Sequence, residues 1–487
     1  DPNALEPISI PRQRLAYDEL LANQLAITLL RKHIRQASGR CVVGNQKLRK
    51  KILNQLPFSL TKSQEIALEE ITEDMAAKRR MLRLLHGDVG SGKTVVAFLA
   101  ILNAVEFGGQ ATLMAPTEIL ARQHLATIQP LAESAGVNCQ ALTGRTKGKE
   151  RNDLLANLKA GRISILVGTH AMFQRDVSFA NLALTVIDEQ HKFGVHQRLN
   201  LQAKGHGVDL LVMTATPIPR TLMMTSYGDM DVSRLNEKPA GRQLVNTTVL
   251  PMDRFVDVVK AIKRAIDAGG RVYWVCPLVD TSGFVDLVAA EERFSTLAAH
   301  FNDRVGLVHG RLSESKRDKA MSDFANGTFD ILVATTVIEV GVDVPEATIM
   351  VVEQAERFGL AQLHQLRGRV GRSDKPSNCL LLYDTPLSKT AWARLNVLRE
   401  TDDGFRIAEE DLRLRGAGEL LGTRQSGLPN FRLAKLPVHG QLLAAAQDDA
   451  KLILTQDETL QGKRGKALRI LLYLFERDAA ISLLRSG

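Results

Sequence analysis

Residues 87–94 read Gly87-Asp88-Val89-Gly90-Ser91-Gly92-Lys93-Thr94, which fits the phosphate-loop pattern G-x-x-x-x-G-K-[ST]. The glycines let backbone N–H groups turn inward on phosphates. Lys93 can reach the β and γ phosphates, and the Thr94 hydroxyl can ligate Mg2+. Such a loop needs a strand before it and a helix after it. Met81–His86 is mostly apolar, and a long apolar stretch, Val95–Val105, follows. The fuel this implies is ATP with Mg2+.

Downstream, Asp188-Glu189-Gln190-His191 directly follows the apolar run Leu184–Ile187. A carboxylate at a strand end beside a phosphate loop suits a second Mg2+ contact. Asp188 would hold the ion through water, and Glu189 would orient and deprotonate the attacking water. Taken alone, an acidic pair after a strand is an ordinary loop; the phosphate loop gives it meaning. In Thr214-Ala215-Thr216, two hydroxyls at i and i+2 can bridge the acidic site to a neighbouring lobe, or form any Ser/Thr turn. Upstream, the Gln64 amide can donate to and accept from an adenine edge, with Phe58 near the base. An ordinary helix N-terminus capped by Thr61 is compatible with the same residues.

A second constellation is Gln365-Leu366-Arg367-Gly368-Arg369-Val370-Gly371-Arg372. Three arginines held this close are costly without an anion. Arg369 and Arg372 are candidate arginine fingers on the γ phosphate, offered from an opposite lobe; the alternative is a basic surface loop. Just before it, the segment 334–343 closes another strand. There Asp343 could accept from ribose hydroxyls, and Gly341 permits close backbone approach.

The elements that would carry these residues follow from hydrophobic periodicity. Leu15, Leu20, Leu21, Leu25, Leu29 and Leu30 recur at near-helical spacing, which predicts a long amphipathic helix over residues 12–36. Pro11 stands where a helix start tolerates it. From about residue 57, short apolar runs alternate with helix-length stretches: Thr112–Ala115, Ile163–Val167, Leu184–Ile187 and Leu210–Met213. A second alternation begins near residue 250, with Val272–Cys276, Val305–Val308, Ile331–Ala334, Thr348–Val352 and Cys379–Tyr383. This is the signature of two tandem α/β units, each a parallel sheet covered by helices. Asn236–Arg242, with Pro239 and Gly241, is the expected hinge. From Lys389 the strand signals fade, and residues 440–484 read as mostly helical.

Composition bounds the class. The chain has 487 residues, 45% hydrophobic and 24% charged, an ordinary soluble composition with length for about three domains. It has 63 Lys plus Arg against 54 Asp plus Glu, a net charge of +9. That excess suits a polyanion such as nucleic acid and equally suits a mildly basic soluble protein. Cys41, Cys139, Cys276 and Cys379 are widely spaced and suggest neither a metal site nor a disulfide framework. No signal peptide and no apolar run of about 18 residues is found, so the expected location is the cytoplasm.

The phosphate loop, Asp-Glu-Gln-His, Thr-Ala-Thr and Gln-x-x-Gly-Arg-x-Gly-Arg occur in the order of superfamily 2 helicases and translocases, which the chain resembles over residues 57–385. The resemblance implies two RecA-like lobes with ATP in the cleft and nucleic acid crossing both. Gln190, His191, Thr214, Thr216 and Gln365 would couple the nucleotide to the second lobe. Matching nucleic-acid loops would hold Pro116, Thr117, Thr143, Gly144, Thr169 and His170 in lobe one. In lobe two they would hold His309, Gly310, Arg311, Thr335 and Thr336. These residue types suit phosphates rather than bases, hence little sequence preference.

Residues 401–427 narrow the resemblance. They look like the translocation element shared by the RecG branch-migration helicases and the transcription-repair coupling factors, a helical hairpin and loop that turn lobe closure into movement on duplex DNA. Arg394, Arg415 and Gln425 match the coupling positions, with Arg413 and Arg424 beside them. Ala417 departs from the expected Pro, and Lys192 stands where Arg is expected. Leu56-Pro57-Phe58, His191-Lys192-Phe193-Gly194-Val195 and Leu471-Leu472-Tyr473-Leu474-Phe475 favour the RecG family over the coupling factors.

The resemblance then implies five regions: a helical linker over 1–56, lobe one over 57–240, lobe two over 241–388, the translocation hairpin and loop over 389–428, and a helical extension over 429–487. It implies that the chain begins in the linker after an N-terminal wedge domain. It also implies an ATP-driven duplex DNA translocase that unwinds and branch-migrates forked DNA and Holliday junctions. The expected partners are branched DNA and single-stranded-DNA-binding protein, with no membrane and a monomeric, nucleoid-associated state. The alternatives are a coupling-factor-type translocase acting on a stalled RNA polymerase and an ATP-gated DNA-binding switch that clamps without moving.

Overall fold

The computed structural model describes residues 6–36, 39–189, 207–216, 230–237, 243–277, 284–335, 344–372, 374–419 and 431–477, with single residues 205, 219 and 239. In chain order the helices and strands are α1 (Ile10–Gln36), α2 (Lys47–Gln55), α3 (Lys62–Ala76), β1 (Leu82–Gly87), α4 (Lys93–Glu106), β2 (Gln110–Met114), α5 (Glu118–Ser134), β3 (Cys139–Leu142), α6 (Gly148–Lys159), β4 (Ile165–Gly168), β5 (Leu182–Asp188), β6 (Asp209–Thr214) and β7 (Asp231–Leu235). They continue with β8 (Val245–Pro251), α7 (Phe255–Asp267), β9 (Arg271–Val275), α8 (Phe284–Phe301), β10 (Val305–Val308), α9 (Glu314–Asn326), β11 (Ile331–Ala334), β12 (Ala347–Val352), α10 (Leu360–Arg367), β13 (Ser377–Tyr383), α11 (Lys389–Glu400), α12 (Gly404–Glu419), α13 (Leu436–Gln456) and α14 (Lys463–Leu474).

Two parallel sheets organise the chain. The first has seven strands in the order β3-β4-β2-β5-β6-β1-β7, the second six in the order β10-β11-β9-β12-β13-β8. Central strands such as β2, β5 and β6 are buried along their whole length, as strands covered on both faces must be. α4 follows the phosphate loop with ten buried residues out of fourteen, so it is a core element and not a surface helix. Val42 and Ile52 belong to the same core, which joins the segment before Pro57 to lobe one.

A third core lies away from both sheets. Leu20, Leu21, Leu25 and Leu29 of α1 pack against Leu443, Ala446 and Leu472 of α13 and α14. Leu15 and Leu30 remain exposed, so the buried stripe of α1 is narrower than the leucine pattern. The buried Glu19 carboxylate accepts from the backbone N–H groups of Arg432, Leu433 and Ala434 at 2.6–2.8 Å. Hydrogen bonds to a charged group contribute about 1.5–3 kcal/mol each, so this one side chain ties the two ends of the described chain into one body. Among the described residues, no helix is long and apolar enough to cross a membrane.

Candidate functional site

The phosphate loop runs from the end of β1 to the start of α4. Gly90 and Gly92 have φ of 76° and 83°, backbone that L-residues rarely adopt. Lys93 is buried, and its Nζ donates to the carbonyls of Gly87 and Asp88 at 2.6 and 2.9 Å. Burial pulls the ammonium below its usual pKa, against the charges of Glu189, Asp188 and Asp88. The buried Ser91 Oγ has no hydrogen-bond partner. An unspent buried hydroxyl, a buried cation and an inward-turned backbone fit the phosphates of a nucleotide. Thr94 follows directly as the second residue of α4.

Gln64 closes the loop from α3. Thr61 and Gln64 form a capping box, and Gln64 Nε2 also donates to the Ser91 carbonyl at 2.8 Å. A side chain at Gly92 would collide with that amide. The cap read from the sequence is therefore present, and the same amide braces the phosphate loop. Phe58 is exposed.

Asp188 ends β5 and Glu189 follows with φ 50°, a strained backbone for a residue with a side chain. Burial alone would raise the Asp188 carboxyl. His124, bonded through Nε2 at 2.7 Å, outweighs it together with Lys93 and holds it below the usual range. Burial and the neighbouring Asp188 instead push Glu189 up. Glu189 Oε1 accepts from the Ala215 N–H at 3.2 Å, which ties the acidic pair to the Thr214–Thr216 turn. His124 was not singled out from the sequence; an isolated histidine within a helix carries no spacing signal.

Lobe two reaches this cleft through α10 and the turn after it. Gln365 Nε2 donates to Thr216 Oγ1 at 2.6 Å, and the Thr216 N–H donates to Thr214 Oγ1. The turn is close enough that a side chain at Gly368 would come within 2.9 Å of Val89. The charges of Arg369 and Arg372 act on Glu189 and Lys93 respectively. Arg367 is turned the other way. It is buried and bonds the carbonyls of Leu398 and Thr401 at 2.6 and 3.0 Å and the Asp402 carboxylate at 3.1 Å. One of the three clustered arginines thus needs no bound anion, because Asp402 and two carbonyls of the α11–α12 hairpin already satisfy it. Arg394 anchors the same hairpin through the Phe358 carbonyl at 2.6 Å.

The expected nucleic-acid loops all leave the carboxyl ends of strands. Pro116 and Thr117 follow β2, Thr143 and Gly144 follow β3, and Thr169 and His170 follow β4. Thr117 caps α5 by accepting from Leu120 N–H. In lobe two, His309, Gly310 and Arg311 follow β10, and Thr335 follows β11. The strand orders gather these loops at one side of each sheet, with the phosphate-loop and acidic strands β1, β6 and β5 on the other side of lobe one. Gln190, His191, Thr336, Gly341, Asp343 and Gln425 lie outside the described residues, as does Lys192. So do the side chains of Arg415 and Ala417, and most of the Asn236–Arg242 hinge.

Three stretches match family models: residues 61–225 the DEAD/DEAH box helicase, residues 255–374 the helicase conserved C-terminal domain, and residues 401–471 the C-terminal part of domain 3 of ATP-dependent DNA helicase RecG. The chain is 48% identical over 446 residues to ATP-dependent DNA helicase RecG of Acidithiobacillus ferridurans, covering 91% of this chain and 65% of that protein. It is 46% identical over 465 residues to the protein of the same name from Pasteurella multocida, covering 93% and 67%. A solved structure of RecG bound to a three-way DNA junction matches with a TM-score of 0.75 and 43% identity, over 90% of this chain and 57% of that one. The chain thus spans about two thirds of the length of the curated relatives it matches.

Proposed function

The chain belongs to the RecG family of ATP-dependent DNA helicases, and from that membership we propose that it is an ATP-driven double-stranded DNA translocase that unwinds and branch-migrates forked DNA and Holliday junctions. The observation that carries the proposal is the pairing across the cleft. Gln365 of one lobe bonds Thr216 of the other, and the turn that leads to Arg369 and Arg372 sits so close to the phosphate loop that a side chain at Gly368 would come within 2.9 Å of Val89. An ATP site completed by both lobes is what converts hydrolysis into relative lobe movement.

When bound, ATP with Mg2+ supplies the phosphoanhydride to be cleaved and a cation that neutralises the charge on its phosphates. Lys93, now bonded to the carbonyls of Gly87 and Asp88, would hold the β and γ phosphates. Thr94, and Asp188 through water, would hold the cation, and His124 keeps Asp188 ionised and oriented. Glu189, its carboxyl raised by burial, takes the proton of the attacking water. Arg369 and Arg372 stabilise charge on the transferring phosphate. Gln64, with Phe58, receives the base. Gln365, Thr214 and Thr216 sense closure, and the hairpin anchored by Arg367 and Arg394 moves with lobe two. Gln190, His191, Gly341, Asp343, Arg415 and Gln425 keep the roles that the resemblance implies for them.

Branched duplex DNA is the proposed substrate, contacted through the strand-end loops of both lobes. The same reading takes the protein as a nucleoid-associated cytoplasmic monomer that meets single-stranded-DNA-binding protein at forks. The test is ATP hydrolysis without DNA and with linear duplex, single strand and a model fork, followed by displacement of a third strand from a triplex. Duplex or fork stimulation, lost in Lys93→Ala, and directional stripping of the third strand are expected. Stimulation by single strand alone would overturn the duplex reading. ATP-dependent binding without strand displacement would make the protein a clamp.

A further inference from the structure

The first turn of α12, the second helix of the hairpin, is seated on the phosphate loop of lobe one. The Asp88 carboxylate lies against the Gly404 backbone, so close that a Cβ there would meet its Oδ1, and it is 3.2 Å from His364 Nε2. Arg367 Nη2 lies 3.0 Å from His364 Nδ1. A guanidinium only donates, so Nδ1 is the acceptor, and the proton on Nε2 faces Asp88. Arg367 continues to Asp402 and to the Thr401 carbonyl. Asp88, His364, Arg367, the 401–404 turn and Asp88 again therefore form a closed ring through lobe one, lobe two and the hairpin.

Two further observations fix the turn in place. Asp403 caps α12 by accepting from the Phe405 N–H at 2.9 Å. The Phe405 ring then meets His86 edge-on, with centroids 4.6 Å apart, and Arg234 lies over its face at 5.5 Å. His86 belongs to β1 and Arg234 to β7, both in lobe one. The hairpin is thus held by lobe one as well as by the lobe it follows in sequence.

Gly404 shows how tight the seat is. A Cβ there would fall inside contact distance of Asp88 Oδ1 and 2.8 Å from His364 Nε2. Its φ is not in the left-handed region, so an alanine would suit the helix backbone and even favour it. Glycine is needed here for close approach alone. Asp88 meanwhile has its carbonyl held by Lys93. The backbone of Asp88 answers to the lysine that reaches for phosphates, and its side chain answers to the hairpin.

We propose that Asp88 is a positioning residue that clasps the first turn of the hairpin helix, so that a change in the phosphate loop passes straight into the hairpin as well as through the lobe-two sheet. The inference rests on the translocase reading above and adds a direct route from nucleotide to translocation element. The favourable geometry of a carboxylate at a helix N-terminus makes the clasp firm, and the Lys93 contact makes it responsive.

The test uses Gly404→Ala, which wedges the clasp open without a backbone penalty, and His364→Leu, which cuts the ring at another point. Triplex displacement per ATP hydrolysed should fall about tenfold in both, as expected when a coupling contact is broken, while the DNA-stimulated kcat of Gly404→Ala stays within about twofold. Hydrogen exchange over residues 404–414 should change on adding AMPPNP with Mg2+ in the wild type and not in either variant. Displacement per ATP equal to wild type in Gly404→Ala overturns the clasp. A loss that merely follows ATPase or melting temperature down does so too. If the wild-type chain strips no third strand, the translocase reading falls, and the exchange measurement alone decides the clasp: a change that persists in both variants overturns it.

Discussion

His124 and Asp188 join the two halves of the lobe-one edge through one buried hydrogen bond of 2.7 Å. The expected nucleic-acid loops follow β2, β3 and β4, which are contiguous in the sheet, while β5, β6 and β1 carry the residues proposed to bind the nucleotide. The border runs between β2 and β5. His124 lies on α5, the helix that Thr117 caps, and Asp188 ends β5, so the bond crosses that border. On the proposed reading, a duplex pressing on the Pro116–Thr117 turn would shift the helix that orients the carboxylate proposed to hold the cation. His124→Ala should lower DNA-stimulated kcat about tenfold or more, as losing an outer-shell partner of a metal ligand does, and lower basal hydrolysis less. His124→Gln, which can still donate, should restore part of the stimulation. Equal losses with and without duplex in steady-state assays would reduce the bond to local support.

Arg145 links the lobes on the same face. It pairs with Glu118 at 2.9 Å within lobe one and with Asp318 of α9 at 2.8 Å, directly after Gly144. These side chains are part-exposed, so the pair contributes little stability, about 0.2–1 kcal/mol. On the proposed DNA path, a carboxylate here would oppose the phosphates, and it occupies an arginine that could serve them. Asp318→Asn should therefore tighten duplex binding about two- to fivefold at low salt, with the gain shrinking as salt screens it, and leave the melting temperature unchanged. Fluorescence anisotropy across a salt series reads this, and weaker binding by the variant would contradict it.

Glu189 should set the acid limb of hydrolysis. Its carboxyl is raised by burial and by Asp188. A base acts only when deprotonated, so kcat/KM should fall as the pH drops. The fall should begin above the usual glutamate range, because the free enzyme holds that proton more tightly. Glu189→Gln should be nearly inactive and lack this limb. A wild-type profile that stays flat down to ordinary glutamate pKa values would remove Glu189 from the base role.

What was legible in the sequence, and what was not, divides along physical lines. Central strands such as Leu184–Ile187 and Leu210–Met213 stood out because burial on both faces demands unbroken apolar runs. The strands that no such run marks, β3, β7 and β8, all lie at sheet edges. β7 reads Asp-Val-Ser-Arg-Leu and β8 holds Asn246, Thr247 and Thr248, polar residues that edge strands tolerate. The phosphate loop was legible because its glycines answer a local backbone need. His124 on Asp188, Gly404 on Asp88 and Glu19 on the 432–434 backbone were not, since each joins segments far apart in the chain and depends on sheet order. Arg367 shows the opposite limit: composition suggested an anion, and packing supplied the hairpin carbonyls and Asp402 instead.

Asp209 offers a test of the lobe-one core that is independent of nucleotide and DNA. It is fully buried at the start of β6. Its Oδ1 accepts from the Met81 N–H at 2.8 Å, and its Oδ2 has no partner. Burial pushes the carboxyl from 3.8 up to about 8, although the Met81 N–H and Arg40 oppose the shift. A folded-state pKa above the unfolded one means that folding takes up a proton between the two values. Its stabilising contribution is complete below about pH 4 and is lost as the pH rises towards 8, by at most about 1.4 kcal/mol per pH unit. An asparagine at this position would mimic the protonated form, keep an acceptor for Met81, and place an NH2 where a carboxylic O–H already finds no acceptor. Asp209→Asn should therefore melt close to wild type at pH 4 and several degrees higher at pH 8. Thermal melts at the two pH values decide it. A variant that loses the same melting temperature at both would show that Asp209 is ionised in the folded protein and held by the arginines beside it.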